Sequence, residues 1–551
     1  MNKKWRALTI IAMASFIMVI DSTAMNVSIS NLVNDLHTDI STIQLIMASY
    51  TLIMAICMLP GAKIADIIGS KKAFIFGAIL YGVGTLTASI SQNVVMLFIG
   101  WALIEGVAAA LMMPTALALI TAAYKGKDRV IAMSIYTAMS SVALAIGPIF
   151  GGIITTYFSW RYVFAIEALI VVYILINFKA INEIDCEQPS KDAKFDFLGS
   201  LISAIALISI VGGALQSKTY GWIISKKAFS FAFITLPKGS ISISILLILN
   251  GLLFLGIFIL WLKVAKNNNK QALIDIDIFK YRNFDVVLLI NACIQISLAG
   301  IMFVTPIYLQ SVLKYDALKT GMTIMPLSIT LLITSMFVVK LISKFDQRYI
   351  ICTGAMSILL GGAYMYFIFN GAATVSGIKI LPAMLFLGMG IGCSLTLTSN
   401  IALSAIDKKL SNQGSGMITT VNNLASSLST AVIGSVLISG INVGIAKYLI
   451  GDFSNQFGKY SVHEILGKIN ETTMRLNDNP IHKSDLSNNQ IHQIMDIITR
   501  GMNSSMQRIF IIVIAMAILA GIIALIGISI KKNSNNEDKV KVEYNKDQKA
   551  S

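Results

Sequence analysis

An all-α integral membrane protein of about fourteen spanning helices is the fold class this sequence predicts, and three observations predict it. Of 551 residues, 56% are hydrophobic and only 13% charged, and the mean hydropathy is +0.75, well outside the balance of a soluble globular chain. Apolar runs of roughly 20 residues, the length needed to cross a bilayer, recur along nearly the whole sequence. Lys and Arg gather in every second connection between those runs: Lys3, Lys4 and Arg6; Lys71 and Lys72; Lys125, Lys127 and Arg129; Lys344 and Arg348; Lys408 and Lys409; Lys531 and Lys532. The positive-inside rule predicts that alternation.

The first apolar run follows a charged start like that of a signal peptide, but no small-residue cleavage site closes it, so it reads as a retained span. Spans then begin near Ala7, Ile43, Ala73, Val94, Ile131 and Tyr162, and the expected N-terminal six-helix bundle covers 1–181. An inserted helix pair with cytoplasmic linkers occupies 182–285, its helices near 197–215 and 241–262. Further spans start near Val286, Thr320, Ile350, Ile378, Gly414 and Ile509, giving a C-terminal six-helix bundle at 286–530 and a charged cytoplasmic tail at 531–551. An even count puts both termini in the cytoplasm. Two connections are expected outside: 216–240, whose apolar piece 228–236 is too short to span and suits a re-entrant or interfacial segment, and a long loop at about 441–507.

Composition also excludes function classes. The net charge of +15 could suggest nucleic acid, but its basic residues sit in short membrane-flanking loops. Cys57, Cys186, Cys293, Cys352 and Cys393 have neither metal nor disulfide spacing, and no cofactor motif is present. His37, His463, His482 and His492 fall in expected external segments, which argues against a histidine proton relay. There is no nucleotide loop and no nucleophile with a placed base, so an enzyme is not expected. A non-transporting receptor is a remote alternative.

Acids in the middle of apolar spans carry the most information, because a charge at that depth costs at least a few kcal/mol and is usually there for a purpose. Asp21 lies about 20 Å along the first span and Glu105 about 16 Å along the fourth, at 1.5 Å per residue. Neither has an evident basic partner in the spans, so both can load and release protons or attract a cation. Glu167, in the sixth, is expected nearer the outer surface, where Arg161 could pair with it. For Glu105 the plainer alternative is a protonated acid bonded to a neighbouring helix. Ala102, Glu105, Gly106 and Ala109 share a small-residue face suited to packing or to lining a cavity.

Two motifs mark the moving parts. The loop after the second span contains Asp66, able to cap the next helix or pair with the neighbouring bundle, and Gly69, which permits a tight turn. The fifth span contains Gly147, Pro148, Gly151 and Gly152, where Pro148 frees a backbone carbonyl and the glycines allow close helix approach. Trp160 and Arg161 follow as interface anchors. With this Gly-Pro-x-x-Gly-Gly run and Trp-Arg pair, the chain resembles the major facilitator superfamily, specifically its fourteen-helix drug:proton antiporter branch (EmrB/QacA type). Asp21 to Val27 matches the first-helix motif of that branch, Tyr50 and Leu52 its second-helix Tyr-x-Leu, and the loop at Asp66 its cytoplasmic signature. The segments 196–199 and 221–222 resemble its inserted seventh helix, 272–284 the linker into the ninth, Pro306 to Gln310 with Gly321 and Pro326 the ninth and tenth helices, and Gly414, Gly416 and Asn422 the thirteenth. The likeness spans about 7–439.

Departures from the pattern fall on the coupling machinery. The branch usually has Arg-x-x-Gln-Gly in the fourth helix, with the Arg tied to proton coupling, whereas this chain has Ala102 and Glu105. Glu167, Ala168 and Leu169 replace Asn-Val-Pro in the sixth, Ile67 and Ser70 replace two Arg, and Leu45 replaces a Trp. The resemblance implies two six-helix bundles plus two inserted helices, and an exporter of lipophilic, cationic small molecules working by proton antiport. It also implies a monomer in the lipid bilayer of the cell membrane, without nucleic acid. Asp21, Glu105, Glu167 and Asn26 would be the substrate and proton residues. Asn291, Gln295, Gln310 and Asn422 are candidates to line the cavity, with Asn400 and Asn423 beside them, though each also suits a helix–helix hydrogen bond. A lipid or fatty-acid exporter or flippase is the alternative of the same fold.

Overall fold

The computed structural model describes residues 3–528 other than 125, 180–194, 232–233, 269, 342–344, 371–373, 407–409 and 453–487. The linker at 182–194, most of the external loop and the C-terminal tail therefore lie outside the described residues. The apolar runs are helices: α1 (Lys3–Val27), a short α2 (Ile29–Asp35), α3 (Ile40–Ile68) and α4 (Ser70–Ser89). The fourth span is composite, with one turn α5 (Val94–Leu97), a π-helical stretch (Phe98–Glu105) and α6 (Gly106–Ala123). Then come α7 (Gly126–Tyr157), α8 (Arg161–Ile176), α9 (Phe197–Tyr220) and α10 (Ile243–Asn267). The remainder are α11 (Arg282–Ser311), α12 (Ala317–Leu341), α13 (Gln347–Ile368), α14 (Gly377–Ala405), α15 (Ser411–Asp452) and α16 (Asn488–Gly527).

Thirteen of these spans, counting the fourth as one, are long and apolar enough to cross a membrane among the described residues. At 16 residues α8 is shorter, but it packs on α4 and α1 and completes fourteen. Span ends are set by capping at the bilayer boundary, where helix N–H groups need partners. Asp39 accepts from Thr42 N (2.6 Å) at the start of α3, and Asn93 accepts from Met96 N (2.8 Å) at the start of the fourth span. Gly69 (φ 90°) and Gly221 (φ 80°) end α3 and α9 in a backbone region that a side chain would strain. Gly69 also takes the N-cap position of α4 without side-chain help, so the exposed Asp66 does not cap that helix. The segment read as re-entrant or interfacial carries two paired strands, β1 (Phe229–Phe231) against β2 (Ile234–Leu236), with Ile224 bridged to Ile241. Pairing satisfies its backbone within the segment, which nine apolar residues could not achieve as a spanning helix.

Helices α1 to α8 pack chiefly on one another, as do α11 to α16, while α9 and α10 pack together and only α9 reaches α3 and α15. At the end carrying the basic loops, Asp196 accepts from Trp261 Nε1 (3.2 Å), Leu273 N (2.9 Å) and Gly199 N (2.8 Å), tying the inserted pair to the linker that follows it. At the opposite end, Asp35 Oδ2 accepts from Arg161 Nη1 (2.7 Å) and Trp160 Nε1 (3.0 Å), and Arg161 Nε reaches the Ser91 carbonyl (3.0 Å). The guanidinium also lies 4.4 Å from the centre of the Trp160 ring. Arg161 therefore pairs with Asp35, not with Glu167 as the sequence allowed. Its reach from the start of α8 is toward the loop ends, away from the helix interior.

Glycines allow close helix approach at this same far end, within the first set at Gly147 and Gly151 and between the two sets at Gly152 and Gly321. A Cβ on Gly151 would stand 2.5 Å from the Ala24 carbonyl of α1, and one on Gly152 would stand 2.7 Å from the Ala317 carbonyl at the start of α12. A Cβ on Gly147 would overlap the Thr23 side chain, and one on Gly321 would overlap the Pro148 carbonyl. Leu318 N donates to Thr156 Oγ1 (3.0 Å) beside them. Forcing a side chain into such a contact costs about 1–3 kcal/mol. Gly152→Val should therefore lower the melting temperature of the detergent-purified protein. Gly212→Ala, where nothing lies within 4 Å of an added Cβ, should leave it unchanged or slightly raised. Equal effects would mean that α7 and α12 do not depend on this close approach.

Candidate functional site

Asp21 of α1, Glu105 at the end of the π-helical stretch and Glu167 of α8 converge. One carboxylate oxygen from each lies within 4.8 Å of the others, and all three residues are at most 1% exposed. Depth counted along each helix separately put Glu167 nearer the surface than Glu105; the structure places them at one level, because tilt and the irregular fourth span shift the registers. Among the described residues none of the three makes an ion pair with Lys, Arg or His.

Local packing explains how an acid is held at this point. Three glycines let neighbouring helices press on the fourth span from two sides. A Cβ on Gly84 of α4 would meet Glu105 N at 2.9 Å, and one on Gly100 would meet Ala88 N at 2.7 Å. One on Gly106 would lie 3.3 Å from the Tyr50 carbonyl of α3. The small-residue face of the fourth span thus serves close packing. The π-helical turns occur where these contacts crowd, and such turns are common at functional sites.

Aromatic residues wall the cluster. Trp101 Nε1 donates to Asp21 Oδ2 at 2.9 Å, and the indole contacts Tyr50 and Phe164 with ring centres 5.7 Å away in each case. The Tyr50 phenol lies beside Asp21 and the Tyr81 phenol beside Glu105. Asp21 Oδ1, both oxygens of Glu105, both of Glu167 and the hydroxyls of Tyr50 and Tyr81 are buried without a hydrogen-bond partner. Buried polar atoms are rarely left so. Three like charges this close in a buried site cannot coexist unless protons or a cation stand between them. Chemically, the cluster can take up and give back positive charge.

The other expected residues lie elsewhere. Asn26 Nδ2 bonds back to the Ser22 carbonyl (2.7 Å) on its own helix and does not join the acids. In the second helix set, Asn291 donates to Asn422, Thr398 Oγ1 donates to Asn291 (3.1 Å), and Gln295 Nε2 donates to Ser426 Oγ (3.0 Å), a network joining α11, α14 and α15. Asn400 bonds to the Thr396 carbonyl of its own helix (3.0 Å) and is exposed, while Asn423 Nδ2 is buried without a partner. Gln310 bridges the sets: its Nε2 donates to the Val27 carbonyl (2.6 Å) and its Oε1 accepts from Ser30 N (3.4 Å). Gln44 makes a second bridge that the sequence reading missed, from α3 to the Thr430 (2.9 Å) and Ala431 (3.2 Å) carbonyls of α15.

Trp101 and Tyr81 were missed as well. The available signal was an indole four residues before Glu105, since a buried Trp N–H needs an acceptor; Tyr81 offered none.

An acid held for chemistry is poor for stability, so neutralising it without changing its shape should not weaken the fold. Glu105→Gln and Glu167→Gln are expected to melt no lower than the parent protein, whereas Glu105→Ala, which leaves a cavity, should melt lower. A marked loss of stability in both Gln variants would mean that the carboxylates anchor the helices.

The family profile of the Major Facilitator Superfamily matches residues 11–430. The chain is 23% identical to the multidrug resistance protein Stp of Mycobacterium tuberculosis over 445 residues, covering 80% of this chain and 78% of Stp. It is 24% identical to the puromycin resistance protein pur8 of Streptomyces alboniger over 436 residues, 79% of this chain and 82% of pur8. Its fold is similar to the inward-facing, unoccupied crystal structure of a bacterial homologue of the human lysosomal transporter Spinster, with TM-score 0.62, 14% identity and coverage of 96% of this chain and 99% of that one. With about fourteen spans and a family match over most of its length, this multi-pass membrane protein belongs to the Major Facilitator Superfamily.

Proposed function

We propose that this protein exports lipophilic, cationic small molecules from the cytoplasm in exchange for protons, by alternating access across the cell membrane. The observation that carries the reading is the convergence of Asp21, Glu105 and Glu167 in a buried cluster that makes no ion pair with a cationic side chain among the described residues. A positively charged compound and protons compete for such negative charge, so loading one favours release of the other. The names of Stp and pur8 support drug efflux as the class of transport. The coupling differs from the pattern implied by the resemblance: Ala102 stands at the usual Arg position, and Trp101 and Glu105 face Asp21 instead.

Alternating access follows from how the helix sets meet. In this reading 1–181 and 286–530 rock against each other, with 182–285 as an inserted pair, both termini in the cytoplasm and a single chain as the working unit. In this reading the closed, external end is the one where Gln44, Gln310 and the Thr156–Leu318 bond span the two sets and Gly152 and Gly321 permit contact. Opening that end requires breaking these ties, and protonating the acids lowers the charge that would hold a cation inside.

The test uses inside-out vesicles with an acidic lumen and a pH-sensitive dye, challenged with a panel of lipophilic cations and neutral lipids. Addition of a transported cation should release protons from the lumen, and Asp21→Asn and Glu105→Gln should each abolish that response while remaining in the membrane. Movement of a lipid analogue with no proton response to any cation would overturn the proposal in favour of a lipid exporter.

A further inference from the structure

The acid cluster as packed here is too small to enclose the compounds an exporter of lipophilic cations would carry, which could only lie against it. Its converging carboxylate oxygens span 4.8 Å at most, room for a bare ion or protons but not for a carbon skeleton. We propose that Asp21, Glu105 and Glu167, with the hydroxyls of Tyr50 and Tyr81, form an inorganic cation site for a dehydrated divalent ion of the Mg2+, Mn2+ and Ca2+ class. The site shares its carboxylates with the exporter reading but does not depend on the organic substrate.

Three observations support the assignment. The donor set is entirely oxygen, as hard divalent cations require, with no Cys or His to favour Zn2+ or Cu2+. The spacing fits: ligands about 2.0–2.6 Å from one ion stand up to about 5 Å apart, which includes the observed span of 4.8 Å. Seven buried oxygens lack a partner, namely Asp21 Oδ1, both of Glu105, both of Glu167 and the two phenol oxygens. The phenols are the independent sign. Tyr50 and Tyr81 are at most 2% exposed, and their hydroxyls lie beside Asp21 and Glu105 with no hydrogen bond of regular geometry. Asp21 Oδ2 is already committed to Trp101, which fixes that carboxylate and leaves its other oxygen for the ion.

Charge favours a divalent over a monovalent ion. Three ionised carboxylates with Na+ leave two negative charges uncompensated in a buried site, whereas a divalent ion leaves one, which a single proton neutralises. The full enclosure of the acids means that the ion enters only when the helix sets open, so it is carried or exchanged as the protein cycles.

Mn2+ is the probe, because its free form is counted directly by electron paramagnetic resonance. Full-length protein in lipid nanodiscs should bind one Mn2+ per chain, displaced by Mg2+ or Ca2+ but not by equal Na+, and binding should change the fluorescence of Trp101, with Trp101→Phe as the control. Tyr81→Phe, which keeps the ring, should weaken binding by about tenfold, and the Glu105→Gln/Glu167→Gln double variant should abolish it. Absence of Mn2+ binding to folded protein, or binding unchanged in the double variant, would overturn the site, as would displacement by Na+ alone. If Mn2+ fails to bind while cation-driven proton release persists, the acids serve protons only and the exporter reading stands. If Mn2+ binds but no organic cation moves protons, the cation site stands and the exporter reading fails.

Discussion

Burial of negative charge beside no positive charge is the constraint around which the first eight helices are arranged. A carboxylate taken from water into a low-dielectric interior loses several kcal/mol unless it is paired or protonated. Here three share one spot, and the helix set contains Arg161 without bringing it to them. That arginine is held at the far end by Asp35, the Ser91 carbonyl and the Trp160 ring. The fold thus keeps the arginine of α8 occupied away from the acids. What reaches the acids instead are neutral groups: one indole N–H, which donates to Asp21, and two phenols beside them. These stabilise charge without cancelling it, so the cluster remains open to an ion or protons.

The contacts between the two helix sets have a second physical logic. Gln44 and Gln310 each bond to main-chain carbonyls of the other set. Such bonds cost little to break when water enters and re-form with little dependence on side-chain identity. Close glycine contacts add dispersion without interlocking side chains, so the surfaces can part cleanly. Helices α3 and α15 are also joined lower down, where Ser427 Oγ donates to the Ala48 carbonyl (2.6 Å). The two sets therefore touch along a hinge-like line as well as at the closed end.

Much of this was legible in the sequence because it is local. Apolar run length gave the spans, Gly69 the turn after α3, and lone acids in apolar runs gave Asp21 and Glu105. What escaped is what depends on distant partners. The convergence of Glu167 with the other two needed the tilt of α8 and the register of the fourth span, neither of which a residue count supplies. Arg161 was read with the acid on its own helix because Asp35, 126 positions away, gives no local sign. Asn26 belonged to a resembling motif yet bonds to its own helix, since its polar group was satisfied there first. The strand pairing of 229–231 with 234–236 was hidden because a short apolar run has the same composition whether it lies in a membrane or pairs with itself.

The π-helical stretch at Phe98–Glu105 has an evolutionary implication. A π turn amounts to one extra residue accommodated inside an α-helix. Deleting any single residue between Phe98 and Ile104 would restore regular winding and preserve hydrophobicity, length and membrane insertion. Removed from between Trp101 and Glu105, such a residue would also change their spacing from four to three and turn Glu105 relative to Asp21. The acid cluster is thus separable from the helical architecture by the length of a single stretch, one residue more or less.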